Sequence, residues 1–388
     1  PMNKKEFLTF GAPVIEHTEI SEVVDSLRSG WLGTGPKVAR FEADFANYKE
    51  CTNNAAVNSG TAALHLSLIV AGLRPGDEVI TTAMTFCSTV NAIIHAGATP
   101  VLVDIDPTTK NIDPALIEAK VTDRTRAILV VHYAGIPCDM DYICQIACKY
   151  NLKIVEDCAH AIESEYKGQK IGTIGDFGCF SFYVTKNIVT GEGGMVFAKK
   201  KEDIDRIKIL ALHGMSKDAW CRFSDEGYKH YFITECGYKY NMMDIQASLG
   251  IQQLRKIKMF WKRRHQIYSQ YQDAFKDLPI GLPLLDLPEC RHAYHLYTIS
   301  VDGNRCGIMR DEFLKAMTEL GIGVGVHYLS IPEHPYYCSE FGWDPPDYPV
   351  AMTYGRQTVS LPLSAKLADR EVARVIEAVH KVIGGSAG

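Results

Sequence analysis

Residues 127–157 read AILVVHYAGIPCDMDYICQIACKYNLKIVED. Two apolar runs, AILVVHY (127–133) and KIVED (153–157), flank a stretch from Met140 to Tyr150 whose apolar residues recur at helical spacing. Runs that are apolar throughout, rather than at every second residue, belong to strands covered on both faces. Two of them joined through a helix read as a parallel strand–helix–strand unit. The alternation continues on either side. Upstream come AAVN and a helix from Thr61 to Ala71, EVITT and a helix from Ser88 to Ala96, then PVLVDI and a helix from Pro114 to Val121. Downstream, GCFSFY and GMVFA add two strands. The pattern between about Ala55 and Ala198 predicts an α/β fold with a mostly parallel seven-stranded sheet flanked by helices. Ligands in such sheets collect at the carboxyl ends of the strands.

After Leu254 the character changes to a long charged helix, KIKMFWKRRHQIYSQYQDAFKD, ended by Pro279 and a Gly/Pro-rich segment through Pro288. This reads as a junction between a large domain, residues 1–254, and a small α+β domain, residues 255–388. The latter carries the strand HLYTISVD (His295 to Asp302), a helix from Arg310 to Leu320, the strand-like GVGVHY (Gly323 to Tyr328), a Pro-rich stretch from Pro332 to Pro349 and a closing helix from Asp369 to Val382.

A chain of 388 residues, 46% apolar and 22% charged, has room for two domains with substantial cores. Its formal charge of −5, with Lys and Arg dispersed, gives no support for a nucleic-acid partner and favours a small-molecule substrate. Pro1 to Phe10 lacks the pattern of a signal peptide, and no apolar run reaches the ~18 residues of a membrane span, so a cytoplasmic protein without a membrane partner is expected. Twelve cysteines in such a chain read as reduced thiols filling core space. Cys144 and Cys148 have no matching pair at zinc-site spacing, so no metal is expected.

Asp157 closes KIVED, which would deliver its carboxylate to the functional edge of the sheet; an Asp there equally serves as a helix N-cap. Lys186 follows the apolar run Phe180-Ser181-Phe182-Tyr183 and precedes Gly191-Glu192-Gly193-Gly194, a backbone able to pass close to a ligand. A lysine and an acid so placed suggest bound pyridoxal 5′-phosphate. The amine would form a Schiff base and shuttle a proton, and the carboxylate would hold the pyridine nitrogen protonated. His160 would pack against the ring or bond near its phenolic oxygen, or be a structural histidine. Asn58-Ser59-Gly60-Thr61-Ala62-Ala63 ends a strand and opens a helix, so its free N–H groups and hydroxyls could hold a phosphate, with Ser181 adding a hydroxyl. Phe86, after EVITT, could stack on the ring or belong to the core.

Together, GWLGTGP (30–36), NSGTAA (58–63), EDCAHA (156–161), Ser181 to Lys186, GEGG (191–194) and GYKYN (237–241) resemble the DegT/DnrJ/EryC1/StrS sugar aminotransferases, from about Thr9 to Val382. The resemblance implies a fold-type I enzyme that moves an amino group from L-glutamate, released as 2-oxoglutarate, to a keto-sugar, usually nucleotide-linked. It implies Lys186 as the Schiff-base lysine, Asp157 at the pyridine nitrogen, His160 beside the ring, Phe86 stacking, and Gly60, Thr61, Ala62 and Ser181 at the phosphate. Asn241 would reach the phosphate of a neighbouring subunit, which implies a homodimer with shared sites. Thr34, Tyr183, His327 and Tyr328 match positions near the sugar. VHYAG (131–135), VDGNRCGI (301–308) and GIGVGVHY (321–328) are nearest to the branch that forms UDP-4-amino-4-deoxy-L-arabinose, in lipopolysaccharide sugar synthesis. Tyr183, where many relatives place histidine, and the segment from Met215 to Ile233 depart from that branch and leave room for a keto-sugar without a nucleotide, such as an 8-oxo octulosonate. A dehydrating enzyme of this family replaces the lysine by histidine, and a non-catalytic sugar-binding module would have lost Lys186, Asp157 or Ser181; all three are present.

Overall fold

In the computed structural model the described residues are 7–216 and 231–384. Most of the segment from Met215 to Ile233 therefore lies outside them. Twelve strands follow in chain order: β1 (Asn54–Val57), β2 (Glu78–Thr82), β3 (Thr99–Val103), β4 (Thr125–Val131), β5 (Lys153–Asp157), β6 (Glu165–Tyr166), β7 (Gln169–Lys170), β8 (Phe177–Ser181), β9 (Gly194–Ala198), β10 (Cys290–Arg291), β11 (Tyr297–Ser300) and β12 (Thr358–Leu361). The main sheet has seven strands in the order β1-β9-β8-β5-β4-β2-β3. Its pairings are parallel from β8 through β5, β4 and β2 to β3, while β9 runs antiparallel to both of its neighbours. All seven expected strands are present, though GCFSFY ends as a strand at Ser181. Phe182 and Tyr183 instead begin the turn that carries Lys186.

The continuous apolar runs have their physical reason in two cores. Along β4 the side chains alternate, so Ile128 and Val130 enter one cluster with Phe41, Phe45, Met140, Ile251 and Leu254. Ala127, Leu129 and Val131 enter the opposite cluster with Leu64, Leu66, Ile93, Ile207 and Leu210. Both faces are covered by helices, which is why the strand is apolar on both sides from Ala127 to Val131, with the polar Thr125 and Arg126 at its start. Among the helices, Gly60–Val70 and Cys87–His95 leave the carboxyl ends of β1 and β2 and position the site.

A single helix, Asp244–Phe275, spans 32 residues. Its first half buries Ala247, Ile251, Leu254 and Ile257 against the main sheet. Its second half buries Ile267, Tyr268, Tyr271 and Phe275 in a separate cluster with Tyr297, Phe313, Val359, Leu361 and Val375. The expected division between residues 254 and 255 thus falls inside one continuous helix, because the helix serves both cores in turn. β11 pairs antiparallel with β12, a strand the sequence reading did not anticipate. GVGVHY is not a strand as expected. Gly323 N–H donates to the Leu8 carbonyl at 2.7 Å while Gly325 pairs with Ser360, so the run is divided between two partners and builds no continuous ladder. Among the described residues no helix is long and apolar enough to cross a membrane.

Candidate active site

The carboxyl ends of β1, β4, β5 and β8 surround a cavity of about 470 Å³ bordered by Gly60, Thr61, Asp157, His160, Ser181 and Lys186, together with Phe86, Tyr183, His327 and Tyr328. Eight of these lie between Gly60 and Lys186 on loops or strand ends, and the parallel sheet brings them together because its strands end on the same edge.

Asp157 is the last residue of β5 and is 5% exposed. One carboxylate oxygen accepts from Thr89 Oγ1 at 2.9 Å and the other from the Ala159 N–H at 3.1 Å. Burial pushes its pKa up, against the lowering effect of those two donors and of the Lys186 charge. Thr89 escaped the sequence reading: it lies 68 residues away and only the fold joins the two. Asp157 rests on a buttress. The neighbouring Glu156 is fully buried and accepts from His132 Nε2 and from the N–H groups of Gly172, Ile174 and Gly175. Burial opposes the Glu156 charge, but those donors hold its carboxyl below the usual range. Among the described residues His132, Glu156 and Cys158 form a group of metal-ligand types, yet Glu156 is already occupied by these four hydrogen bonds, and His132 Nδ1 accepts from the Cys138 N–H at 3.0 Å.

Lys186 stands on a tight turn, its N–H donating to the Tyr183 carbonyl at 2.8 Å. The neck of the loop is closed by Phe182 N–H to Gly193 O and Thr190 N–H to Phe182 O. Of the glycines that follow, Gly191 has a left-handed φ of +81° with open space around it, while Gly193 and Gly194 are there for close packing. A Cβ on Gly193 would lie 2.2 Å from Thr190 Oγ1, and one on Gly194 would lie 2.5 Å from the Ser59 carbonyl. Burial draws the Lys186 pKa down to about 8, against the raising effect of Asp157, so part of the amine is neutral near physiological pH.

His160 accepts the Ala134 N–H at Nδ1, 3.2 Å. The neutral ring therefore carries its proton on Nε2, which donates to Tyr328 Oη at 3.1 Å. Burial first, then the charges of Lys186, His295 and His327, push the His160 pKa well below its ordinary value. Phe86 is 56% exposed, with its ring centroid 5.9 Å from that of Tyr328, so it is a wall of the cavity rather than a core residue. Tyr183 is likewise exposed, and His327 Nδ1 is held by Ser360 Oγ at 2.7 Å.

At the helix start, Ser59 is the N-cap and its Oγ accepts from the Ala62 N–H at 3.1 Å. Ala62 turns its side chain into the core, so Ser59, Gly60 and Thr61 border the cavity instead. A Cβ on Gly60 would lie 2.8 Å from Ser181 Cβ, so only glycine lets the helix start press against the end of β8. Thr34 and Asn241 pair with each other, Nδ2 to Oγ1 at 2.7 Å, and neither borders the cavity of its own chain.

These residues fit pyridoxal phosphate. A helix start with N–H groups left over for an anion, a glycine that lets this helix start meet Ser181, a buried carboxylate and a half-buried amine of lowered pKa stand around one cavity.

Residues 13–380 match the DegT/DnrJ/EryC1/StrS aminotransferase family. The Bacillus subtilis spore coat polysaccharide biosynthesis protein SpsC is 47% identical over 384 residues, 99% of each chain. Among solved structures, a candidate sugar aminotransferase from Streptococcus pneumoniae, Spr1654, solved in PLP and PMP forms, is 36% identical with a TM-score of 0.90 over 98% of this chain and 98–99% of its own. PseC, a Helicobacter pylori aminotransferase of pseudoaminic acid biosynthesis, is 28% identical with a TM-score of 0.90, covering 98% of this chain and 100% of its own. The chain belongs to the DegT/DnrJ/EryC1/StrS family and is a pyridoxal-phosphate-dependent sugar aminotransferase with a fold-type I architecture.

Proposed function

We propose that this member of the DegT/DnrJ/EryC1/StrS family transfers the amino group of L-glutamate to the keto carbon of a nucleotide-linked sugar, in the cytoplasm, for a cell-surface polysaccharide. The observation that carries the proposal is the half-buried Lys186, its amine pKa drawn down to about 8, bordering the cavity that Asp157 and the Gly60 helix start also border. The likeness to SpsC, named for spore coat polysaccharide biosynthesis, supports the destination of the product.

When bound, pyridoxal phosphate supplies an electron sink for the carbon that loses or gains the amine. The rest falls to the chain. The N–H groups of Gly60 and Thr61 and the Ser181 hydroxyl would hold the phosphate, and the Asp157 carboxylate would accept a hydrogen bond from the protonated ring nitrogen. Lys186 Nζ, neutral part of the time, takes a proton from one carbon and returns it to another. His160, kept neutral, would lie beside the ring without adding a second cation. Phe86 and Tyr328 border the cavity as apolar walls. Thr34 and Asn241, which lie outside their own cavity, complete the site of a second subunit in a homodimer.

The test is an absorbance spectrum of the purified protein before and after L-glutamate, followed by a panel of keto-sugars with and without a nucleotide. Glutamate is expected to bleach the visible cofactor band and a UDP-linked 4-keto sugar to restore it. Restoration by a free 8-oxo octulosonate alone would move the reading to the non-nucleotide substrate. A band that glutamate leaves untouched would refute the donor, and no band at all after adding pyridoxal phosphate would favour a binding module.

A further inference from the structure

Immediately after Lys186, the Asn187 side chain is buried at 8% exposure and makes three hydrogen bonds away from the cofactor cavity. Its Nδ2 donates to Glu163 Oε2 at 2.6 Å and to the Ala293 carbonyl at 3.2 Å, and its Oδ1 accepts from His295 Nδ1 at 2.7 Å. Every donor and acceptor direction of the amide but one lone pair is used. Glu163 is in turn paired with Arg264, on the long helix Asp244–Phe275, and both are almost fully buried. His295 tilts over His160, ring centroids 4.3 Å apart at 32°. The loop is closed by backbone: His295 N–H donates to Ala134 O at 3.1 Å, Ala293 N–H to Gly135 O at 3.0 Å, and the Ala134 N–H is the donor to His160 Nδ1.

We infer that Asn187 is a positioning residue that fixes the Lys186 backbone and the His160 ring as one unit, through His295 and the Glu163–Arg264 pair. The inference rests on Lys186 as the cofactor-bearing lysine. A short turn held only by its neck would let the amine wander, and the amide ties that turn to two elements outside the main sheet, the long helix and the segment 293–295. His295 is the link that makes the tie reach His160. Burial and the Lys186 charge keep His295 neutral, so it can donate through Nδ1 and stack without competing as a cation. A residue that merely filled space would leave the lysine and the histidine independent of each other.

The experiment compares holoenzyme carrying Asn187→Ala, His295→Ala and both, by the pH midpoint of the visible cofactor band, by kcat and KM, and by thermal unfolding. Each single variant is expected to shift the midpoint in the same direction. Each should also lower kcat roughly ten- to hundredfold, the scale of a small misplacement of a reacting group, with KM changed far less. The double variant should be no worse than the poorer single, since coupled residues are non-additive. If Asn187→Ala fails to fold with cofactor, His295→Ala carries the test alone by the same midpoint. An unmoved midpoint with only a lower unfolding temperature, or strictly additive losses, would overturn the coupling. Lys186→Ala is run alongside: persistence of its visible band would refute the assignment of that lysine, whereas loss of the band leaves the Asn187 result to be judged by itself.

Discussion

Thr89→Val removes one oxygen from behind the reacting groups, and with it the acceptor of the buried Thr85 hydroxyl. Thr89 is fully buried, donates to Asp157 Oδ2 at 2.9 Å and lies 2.6 Å from Thr85 Oγ1. A hydroxyl has one hydrogen, so with that hydrogen on the carboxylate, Thr85 must be the donor in the second bond. Valine keeps the shape but replaces the oxygen by a methyl. From the chain the carboxylate is left with the Ala159 N–H as donor, and its pKa, already raised by burial, rises further. A hydrogen bond to a charged acceptor contributes about 1.5–3 kcal/mol. Where that bond holds the carboxylate that stabilises the ring's charge during reaction, the loss corresponds to a fall in kcat of roughly ten- to hundredfold. Thr89→Ser is the control. It keeps the oxygen and drops a buried methyl, so it should cost about 1 kcal/mol of stability but hold the rate. The assay is coupled 2-oxoglutarate release at saturating substrates, with thermal unfolding of all three proteins. A valine variant with unaltered kcat, or a serine variant as slow as valine, would refute the argument that the Thr89 oxygen supports Asp157.

Gly60→Ala should weaken cofactor binding, because at the first position of its helix the added Cβ would lie 2.8 Å from Ser181 Cβ and push apart the two elements that border the cavity. Overpacking of about 1–3 kcal/mol predicts a Kd for pyridoxal phosphate raised roughly 5- to 150-fold, read by equilibrium dialysis. Lys186→Met should abolish transamination and stabilise the cofactor-free protein. The lysine falls from 10.5 to about 8 on folding, so burial of the cation costs about 3 kcal/mol below pH 8. Between pH 8 and 10.5 the unfolded chain binds more protons, wild-type stability rises, and the advantage of methionine disappears, which denaturation at several pH values would follow. If Asn241 serves a second subunit, mixing Asn241→Ala with Lys186→Ala should restore part of the activity through hybrid dimers, up to about a quarter of the sites under random mixing; no recovery after subunit exchange would argue against shared sites.

What the chain determined locally is the sheet. Ile154 and Val155 of KIVED, Ile128 and Leu129 of AILVVHY, and Ile80 and Val79 of EVITT enter opposite cores because both faces of the sheet are packed, and that requirement is written into the residues themselves. Asp157 at a strand end, Lys186 beside glycines and the Ser59-Gly60-Thr61 helix start were legible for the same reason, since each depends on a neighbour within a few residues. GVGVHY misled because its alternation suits a strand, while its two partners, Leu8 and Ser360, are more than thirty residues away on either side. The need for glycine at Gly60 is a matter of contact with Ser181, 121 positions later, and the donor to Asp157 comes from Thr89, 68 positions earlier. The same holds for Asn187, whose partners Glu163, Ala293 and His295 lie in three separate segments. Periodicity and capping act over a turn or a strand, so sequence alone carries them. Which oxygen meets which carboxylate is settled only when the strands align and the long helix crosses between two cores, because hydrogen bonds and close contacts act over about 3 Å of space whatever the distance along the chain.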